Sequence, residues 1–428
     1  MAPRELTGGS FVFDPDDPDF DRDPNPTYDH LRAEAPVYWW PKAHGWVVSR
    51  YDDVVTLLTD SRFSAELRHY PGVPEGLPDS QLTLHQRLAK HGLFWMVDVD
   101  HARVRRVSGP LFSPRVAERF RPSLRRLADD VLDGIEVTST LDVAAQVAAK
   151  YPLEAIIHVL GIPRSRHAEF RLFGSAVIDS FYPSISSDAL QVNLSYLPDG
   201  VAMVEELLTE REGRSGRDFL SQLVNAERHG ERLTRAELLS MVALMISAGS
   251  EPPRHLINFT LLNLLRRPGQ LAEVRRDPAL VKAAIEESYR FDGFGKLNLP
   301  RFPLEDVRLG GVDIAKGDQV FGIFASALRD ARVFPQADRF DLRRDLSKNL
   351  MYGDGPHVCL GRWIAQVMVE VMVQALLERF PTLELAGEPQ YVRDTFFRKM
   401  VSLPTKADGV SQSDQRHPAP QGESREHA

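Results

Sequence analysis

The chain has 428 residues, 43% hydrophobic and 26% charged, with a formal charge of -8 and a pI near 5.9. These values suit a globular protein with a large core, and the acidic balance, with no Lys/Arg-rich run, argues against a nucleic-acid surface. A single cysteine excludes an internal disulfide and fits a reducing cytosol, so a cytoplasmic protein is expected.

The chain opens Met1-Ala2-Pro3-Arg4 and turns acidic between Phe13 and Asp23, so neither a signal peptide nor a membrane anchor is expected. Trp46 to Ser49 alternates like a strand, and Tyr51 to Thr59 has helical spacing with Asp52 and Asp53 at its amino end. Pro71, Gly72, Pro74, Gly76 and Pro78 make 65–95 a long loop. Helical patterns follow over 101–108, 115–135, 139–160, 165–180, 198–225, 235–266, 268–275 and 278–291. Strands are predicted near 297–302, 306–314 and 319–323, with the turn Ala315-Lys316-Gly317-Asp318 between the last two. A final long helix runs from about Leu360 to Glu378. The most apolar windows, Leu239 to Ala248 and Trp363 to Leu377, are too short or too interrupted to span a bilayer. Residues 405–428 are polar and nearly devoid of apolar groups, which predicts a disordered tail. No linker divides 1–404, so a single domain is expected, mainly α with small β-sheets (α+β).

The cysteine, Cys359, stands in Tyr352-Gly353-Asp354-Gly355-Pro356-His357-Val358-Cys359-Leu360-Gly361, directly before the last helix. Gly353 and Gly355 let the backbone turn tightly and approach a flat ligand. A thiolate at a helix amino end is stabilised by the dipole and by free N–H groups, and His357 can reach an anionic group at the edge of whatever the sulfur binds. Glu287-Ser288-Tyr289-Arg290 sets a carboxylate and a guanidinium on one helix face, and His101 and Arg105 stand four apart as a pair of donors for an anion.

The stretch around Cys359 resembles the haem-binding loop of the cytochrome P450 family, Phe-Gly-x-Gly-x-His-x-Cys-x-Gly, with Tyr352 in place of the leading Phe and adding a hydroxyl that needs a partner. The order of elements is similar over roughly 10–404. The resemblance implies a triangular-prism fold with haem b between the central long helix and the helix after the Cys loop. Cys359 would then be the axial iron ligand, with Tyr352, Gly353 and Gly361 around it. It also implies that His101, Arg105, Arg301 and His357 hold the haem propionates, and that Glu287, Arg290 and Arg339 form a buried network bracing the Cys loop. The Pro usual two positions before the His is Val99 here.

In the central helix, relatives typically read Ala-Gly-x-Glu/Asp-Thr, the acid and Thr delivering protons for the activation of O2. This chain reads Ala248-Gly249-Ser250-Glu251-Pro252-Pro253. A proline has no N–H, so Pro252 frees the carbonyl of Ala248 and Pro253 that of Gly249, which should open the helix groove. Proton delivery is then expected through Glu251, water on the freed carbonyls, Ser247 or Ser250, or a substrate hydroxyl. Pro252 also fits a helix kink alone, or chemistry that bypasses ordinary O2 activation.

The resemblance places a substrate pocket at Phe94, Trp95, Phe181, Val242, Met245, Ile246, Phe294, Leu297, Phe396 and Phe397, suited to a sizeable hydrophobic small molecule. Lys296 and Asn298 are candidates for a polar contact, although a Lys there is expected to snorkel to water. No Gly-x-Gly-x-x-Gly follows a strand, so NAD(P)H is expected to act only indirectly, through a separate ferredoxin and ferredoxin reductase. Arg103, Arg106, Arg115, Arg119, Arg121 and Arg362 are candidates for their docking face, and a monomer is expected. The function implied is a soluble bacterial monooxygenase hydroxylating or epoxidising a natural-product intermediate. The alternatives are an atypical member running oxidative coupling, rearrangement or peroxide-driven chemistry, and a non-catalytic haem-binding sensor.

Overall fold

Thr234 starts the longest helix by accepting from the Glu237 N–H while the Glu237 side chain takes the Thr234 N–H, a reciprocal cap at the amino end of Arg235–Leu265. This helix of 31 residues buries side chains on nearly every face, as a helix at the centre of a domain must. The computed structural model describes residues 11–66, 78–135, 140–181, 187–394 and 396–407. Around the central helix lie Tyr151–Leu160, His167–Phe181, Leu280–Phe291 and Arg362–Arg379, and Pro114–Asp133 packs along Arg362–Arg379.

The sheets are small and peripheral. Val37–Trp40 and Gly45–Val48 form an antiparallel hairpin, extended by Gln319–Gly322 running parallel to Gly45–Val48. This sheet covers a second apolar cluster containing Phe13, Phe20, Tyr28, Leu31, Tyr38, Trp40 and Leu297, separate from the main core around the central helix. The mainly helical fold with small sheets agrees with the expectation from sequence. Among the described residues no helix is long and apolar enough to cross a membrane.

Several segments depart from the sequence pattern; within the stretch expected as a loop over 65–95, Leu84–Lys90 is a helix capped by Thr83. The helix expected over 139–160 begins instead as the strand Thr140–Asp142, followed by a wide turn at Ala144–Ala148, before Tyr151–Leu160. Asp142 draws the segment into a sheet by accepting from Ser402 Oγ and the Leu403 N–H. The partner strand is Pro404–Lys406, with Thr405 Oγ1 donating to the Leu141 carbonyl, so Thr405 and Lys406 belong to the sheet. Residues 405–407 therefore do not belong to the expected tail, whose residues 408–428 lie outside the described ones. The stretch 198–225 divides into Leu197–Arg211 and Phe219–Val224, because Asp218 caps a fresh helix start by accepting from the Ser221 N–H. The stretch 306–314 is a hairpin, Val307–Leu309 against Val312–Ile314, turning at Gly310 and Gly311.

Candidate active site

Cys359 is presented by a loop folded back on itself: its N–H donates to the Tyr352 carbonyl at 2.8 Å, and the Gly353 N–H to the Leu350 carbonyl at 2.9 Å. Gly353 (φ 73°) and Gly355 (φ 68°) adopt the left-handed backbone that closes it. A Cβ on Gly355 would stand 2.5 Å from the Leu58 carbonyl oxygen, so the loop lies hard against the end of the helix Tyr51–Thr59. The backbone N–H groups of Gly361 and Arg362 are aimed at the sulfur. Burial pushes the Cys359 thiol up and outweighs these donors and the Arg105 and Arg362 charges, yet the residue keeps an accessible surface. A thiol so placed gives up its proton when a metal ion takes the sulfur. Among the described residues no cluster of three or more His, Cys, Asp or Glu forms a metal cage. A lone thiol therefore suits a metal that arrives with its other ligands, as porphyrin iron does.

The four donors expected around two carboxylates lie together. The rings of His101 and His357 are 4.2 Å apart, and His101 Nε2 is buried without a hydrogen-bond partner in the chain. Burial lowers the His101 pKa to about 4, helped by Arg105 and Arg301, and that of His357 to about 3, helped by Arg301, His101 and Arg105. Burial also lowers Arg105, whose Nη1 donates to the Val358 carbonyl at 2.7 Å. Mutually repelling donors with an orphaned ring nitrogen fit a pair of propionates, which would relieve both defects. On the other side of the Cys loop, the Tyr352 hydroxyl is buried without a partner in the chain.

The central helix continues through Pro252 and Pro253 without a break, so the expected opening is no interruption of the helix but the loss of two N–H donors. Gly249 packs closely on the neighbouring helix, since a Cβ there would stand 2.6 Å from Ile156 Cδ1, which would have to shift. Ser247 Oγ donates to the Ala243 carbonyl at 3.1 Å, Ser250 Oγ is buried without a partner in the chain, and Ala248 is half-buried beside them. Glu251 is buried among cationic and polar groups: Lys399 Nζ at 3.4 Å, Arg254 Nη1 at 3.5 Å and His255 Nε2 at 3.8 Å. Burial alone would raise its pKa, but His255, Lys399 and Arg254 hold the carboxyl below its usual range.

Glu287 and Arg290 are both fully buried and pair through two bonds of 2.7 and 2.8 Å. The third member of the network is Arg344, whose Nε donates to Glu287 Oε1 at 3.2 Å. Arg339 corrects the sequence expectation: its side chain is exposed, and it contributes its carbonyl, which accepts from both Arg290 and Arg344. The loop from Phe334 turns so that the position five residues further on reaches the carboxylate.

The pocket candidates separate. Val242, Met245 and Ile246 are buried on the central helix. Phe294 and Phe397 stack on the His255 ring at 5.2 and 5.1 Å, while half-buried Phe396 donates its N–H to Asp394 Oδ1. Phe94 is exposed with its ring 6.4 Å from that of Trp95. Leu297 is part of the amino-terminal cluster instead, and the Phe181 side chain lies outside the described residues. Lys296 does not snorkel: it is fully buried, 2.6 Å from Asp21, and donates to the Pro15 and Asp394 carbonyls. A cleft of about 420 Å³ opens where Thr83 and Leu84 meet Asp179, Ser180, Leu194 and Leu197. Of the six arginines considered for docking, Arg103 pairs with Glu237, Arg106 with Glu231, and Arg121 with Glu118 and Glu370. Arg115 and Arg119 are exposed, and Arg362 lies over the Trp363 ring.

Sequence reasoning missed Arg344, Arg254, His255 and Lys399. Arg254 and His255 stand three and four positions after Glu251, a helical spacing that signals contact. Lys399 carries no such signal.

The family model described as Cytochrome P450 matches residues 200–410. The chain is 34% identical over 408 residues to the epothilone C/D epoxidase of Sorangium cellulosum, covering 94% of this chain and 97% of that protein. It is 32% identical over 397 residues to the cytochrome P450 monooxygenase PikC of Streptomyces venezuelae, covering 91% and 92%. The solved structure of epothilone D-bound cytochrome P450epoK superposes with a TM-score of 0.85 at 33% identity, over 94% of this chain and 100% of that one.

Proposed function

The chain belongs to the cytochrome P450 family, and from that premise we propose that it is a haem-thiolate monooxygenase placing one oxygen atom of O2 on a hydrophobic natural-product intermediate, by hydroxylation or epoxidation. One observation carries this reading: Cys359, at the amino end of the helix Arg362–Arg379, stands beside the donor group His101, Arg105, Arg301 and His357. Haem b, when bound, supplies the one-electron and oxygen chemistry. Cys359 holds the iron, with the Gly361 and Arg362 N–H groups steadying the sulfur's charge. Arg105 and Arg301 would neutralise the propionates, and His101 and His357 would hydrogen-bond them. The Glu287, Arg290 and Arg344 network keeps the preceding loop rigid. Val242, Met245 and Ile246 give the substrate side of the central helix an apolar wall, and Glu251 holds a proton acceptor beside it. Electrons come from NAD(P)H through a separate ferredoxin and its reductase, and similarity to an epothilone epoxidase supports a natural-product substrate.

The reduced carbon monoxide complex tests this: the thiolate Soret band is expected in the wild type and absent in Cys359→Ser, and its retention in the variant would point to another ligand. Pro252 favours a second reading, peroxide-driven or otherwise atypical chemistry. Product formed per NADPH with a surrogate ferredoxin system, set against product formed with hydrogen peroxide, separates the two. Turnover with peroxide alone would overturn the monooxygenase reading.

A further inference from the structure

Three side chains, Arg254, His255 and Lys399, converge on Glu251, and they come from two different elements. Arg254 and His255 share its helix, so they move with it and cannot fix it relative to anything else. Lys399, from the strand Lys399–Ser402, brings a cation to it from outside, at an ion-pair distance of 3.4 Å that leaves Glu251 Oε2 without a hydrogen bond in the chain. Lys399 is itself buried, and its strand pairs with Gln390–Val392 in a carboxy-terminal hairpin that also carries Asp394, Phe396 and Phe397. That hairpin is anchored: the Lys296 ammonium donates to the Asp394 carbonyl, and the Arg398 guanidinium donates to the Asp21 and Arg22 carbonyls and pairs with Asp292.

We propose that Lys399 is a positioning residue for oxygen activation, crossing from the carboxy-terminal hairpin to fix the Glu251 carboxylate beside Pro252 at the start of the proton path. The proposal rests on the monooxygenase reading above. The need for such a tie follows from the sequence. Pro252 and Pro253 deprive this turn of two N–H donors, and position 252 brings no hydroxyl to hold a proton carrier in place. A contact from another element replaces what the helix lacks. The groups facing Glu251 are Arg254 and His255 on its helix and Lys399 and, more distantly, Asp394 on the hairpin. Burial between Phe294 and Phe397 lowers the His255 pKa to about 3 against the pull of the Glu251 carboxylate, and Lys399 and Arg254 bring an ammonium and a guanidinium to face the same carboxylate. The buried Ser250 Oγ and both His255 ring nitrogens have no partner in the chain, and such orphaned groups are what ordered water in a proton relay binds.

The test compares Lys399→Met, Lys399→Arg and, as a control, Arg254→Met in the haem-loaded enzyme. Lys399→Met is expected to keep the carbon monoxide band and substrate binding of the wild type. Its product formed per NADPH should fall roughly tenfold, less than the hundredfold or more expected for loss of a proton-transfer group itself. The acid limb of its pH profile should move upward, because burial without Lys399 favours the protonated carboxyl, and Lys399→Arg should restore both. Infrared difference spectra should show a buried carboxylic C=O stretch in Lys399→Met that vanishes when Glu251→Gln is added. An unchanged pH profile in Lys399→Met, or equal losses in the Met and Arg variants, would overturn the proposal. A missing thiolate band in the wild type would overturn the proposed function instead, so the two failures are distinguishable.

Discussion

Replacing Arg344 by Leu tests the corrected network against the sequence-derived one, with Arg339→Leu as the comparison. Arg344 donates to Glu287 Oε1 at 3.2 Å, to the Pro335 carbonyl at 2.7 Å, and to the Gln336 and Arg339 carbonyls at 3.0 and 2.8 Å. The three carbonyls belong to exposed residues, where water replaces a lost donor at about 0.5–1 kcal/mol each. Glu287 is fully buried but keeps the two bonds from Arg290 and the Asp341 N–H at 2.9 Å. Its share therefore lies near the low end for a hydrogen bond to a charged group, about 1.5 kcal/mol. The sum is about 3–4.5 kcal/mol for Arg344→Leu, against less than about 0.5 kcal/mol for Arg339→Leu, whose exposed side chain is replaceable while its carbonyl remains. Denaturant midpoints of the haem-loaded proteins, with haem retention read from the Soret absorbance, measure both. Equal destabilisation by the two substitutions, or a larger loss from Arg339→Leu, would refute the assignment of Arg344.

Gly249→Ala should cost about 1–2 kcal/mol through overpacking on Ile156 Cδ1, and Ile156→Val, which removes that methyl, should recover part of it in the double variant; strict additivity in unfolding measurements would count against the contact. His255 has its pKa lowered from 6.5 to about 3, so the stability it contributes is fully present above pH 6.5 and is lost as pH falls toward 3. His255→Phe should flatten the fall in stability between pH 6.5 and 4.5 by up to about 1.4 kcal/mol per pH unit; parallel pH curves for variant and wild type would show that the ring is not neutral in the fold. Lys296→Met leaves the Asp21 carboxylate buried without its ammonium and should cost about 3–5 kcal/mol. Adding Asp21→Asn should return a measurable part in urea unfolding, and no recovery would argue against the pair.

What the sequence discloses divides by the distance over which each contact is made. The Cys359 loop is a contiguous run of ten residues whose glycines, His and Cys all act within one turn, and Glu287 with Arg290 obeys a helical spacing, so both are legible. The resemblance implies Arg339, and Arg344 is not legible because composition does not show which way an irregular loop turns. The same limit explains Thr140–Asp142, where helical periodicity loses to pairing with Pro404–Lys406 at the far end of the chain. It explains Lys296 too, since nothing local reveals that Asp21 waits beside it in the interior. Lys399 is the extreme case: neither its own segment nor that of Glu251 contains the other half of the pair.

Pro252 is where these two kinds of information meet, and substituting it decides between them. Proline inside a helix costs about 3 kcal/mol relative to alanine, and threonine about 0.7 kcal/mol or less, yet the helix runs through both prolines unbroken. Two contacts just before position 252 hold it there: Gly249 against Ile156, and Glu251 to Lys399. If those contacts set the backbone, Pro252→Thr should restore an N–H for the Ala248 carbonyl without moving the helix. A gain of about 1–2 kcal/mol is expected, because Pro253 still denies this turn one N–H and only part of the propensity difference is recovered. The restored hydroxyl would also stand next to the Glu251 carboxylate, so product per NADPH should rise relative to product formed with hydrogen peroxide. If instead the proline itself sets the backbone, the variant should lose stability and substrate affinity together. That outcome in unfolding and substrate titrations would refute the claim that tertiary contacts, rather than Pro252, shape this turn of the central helix.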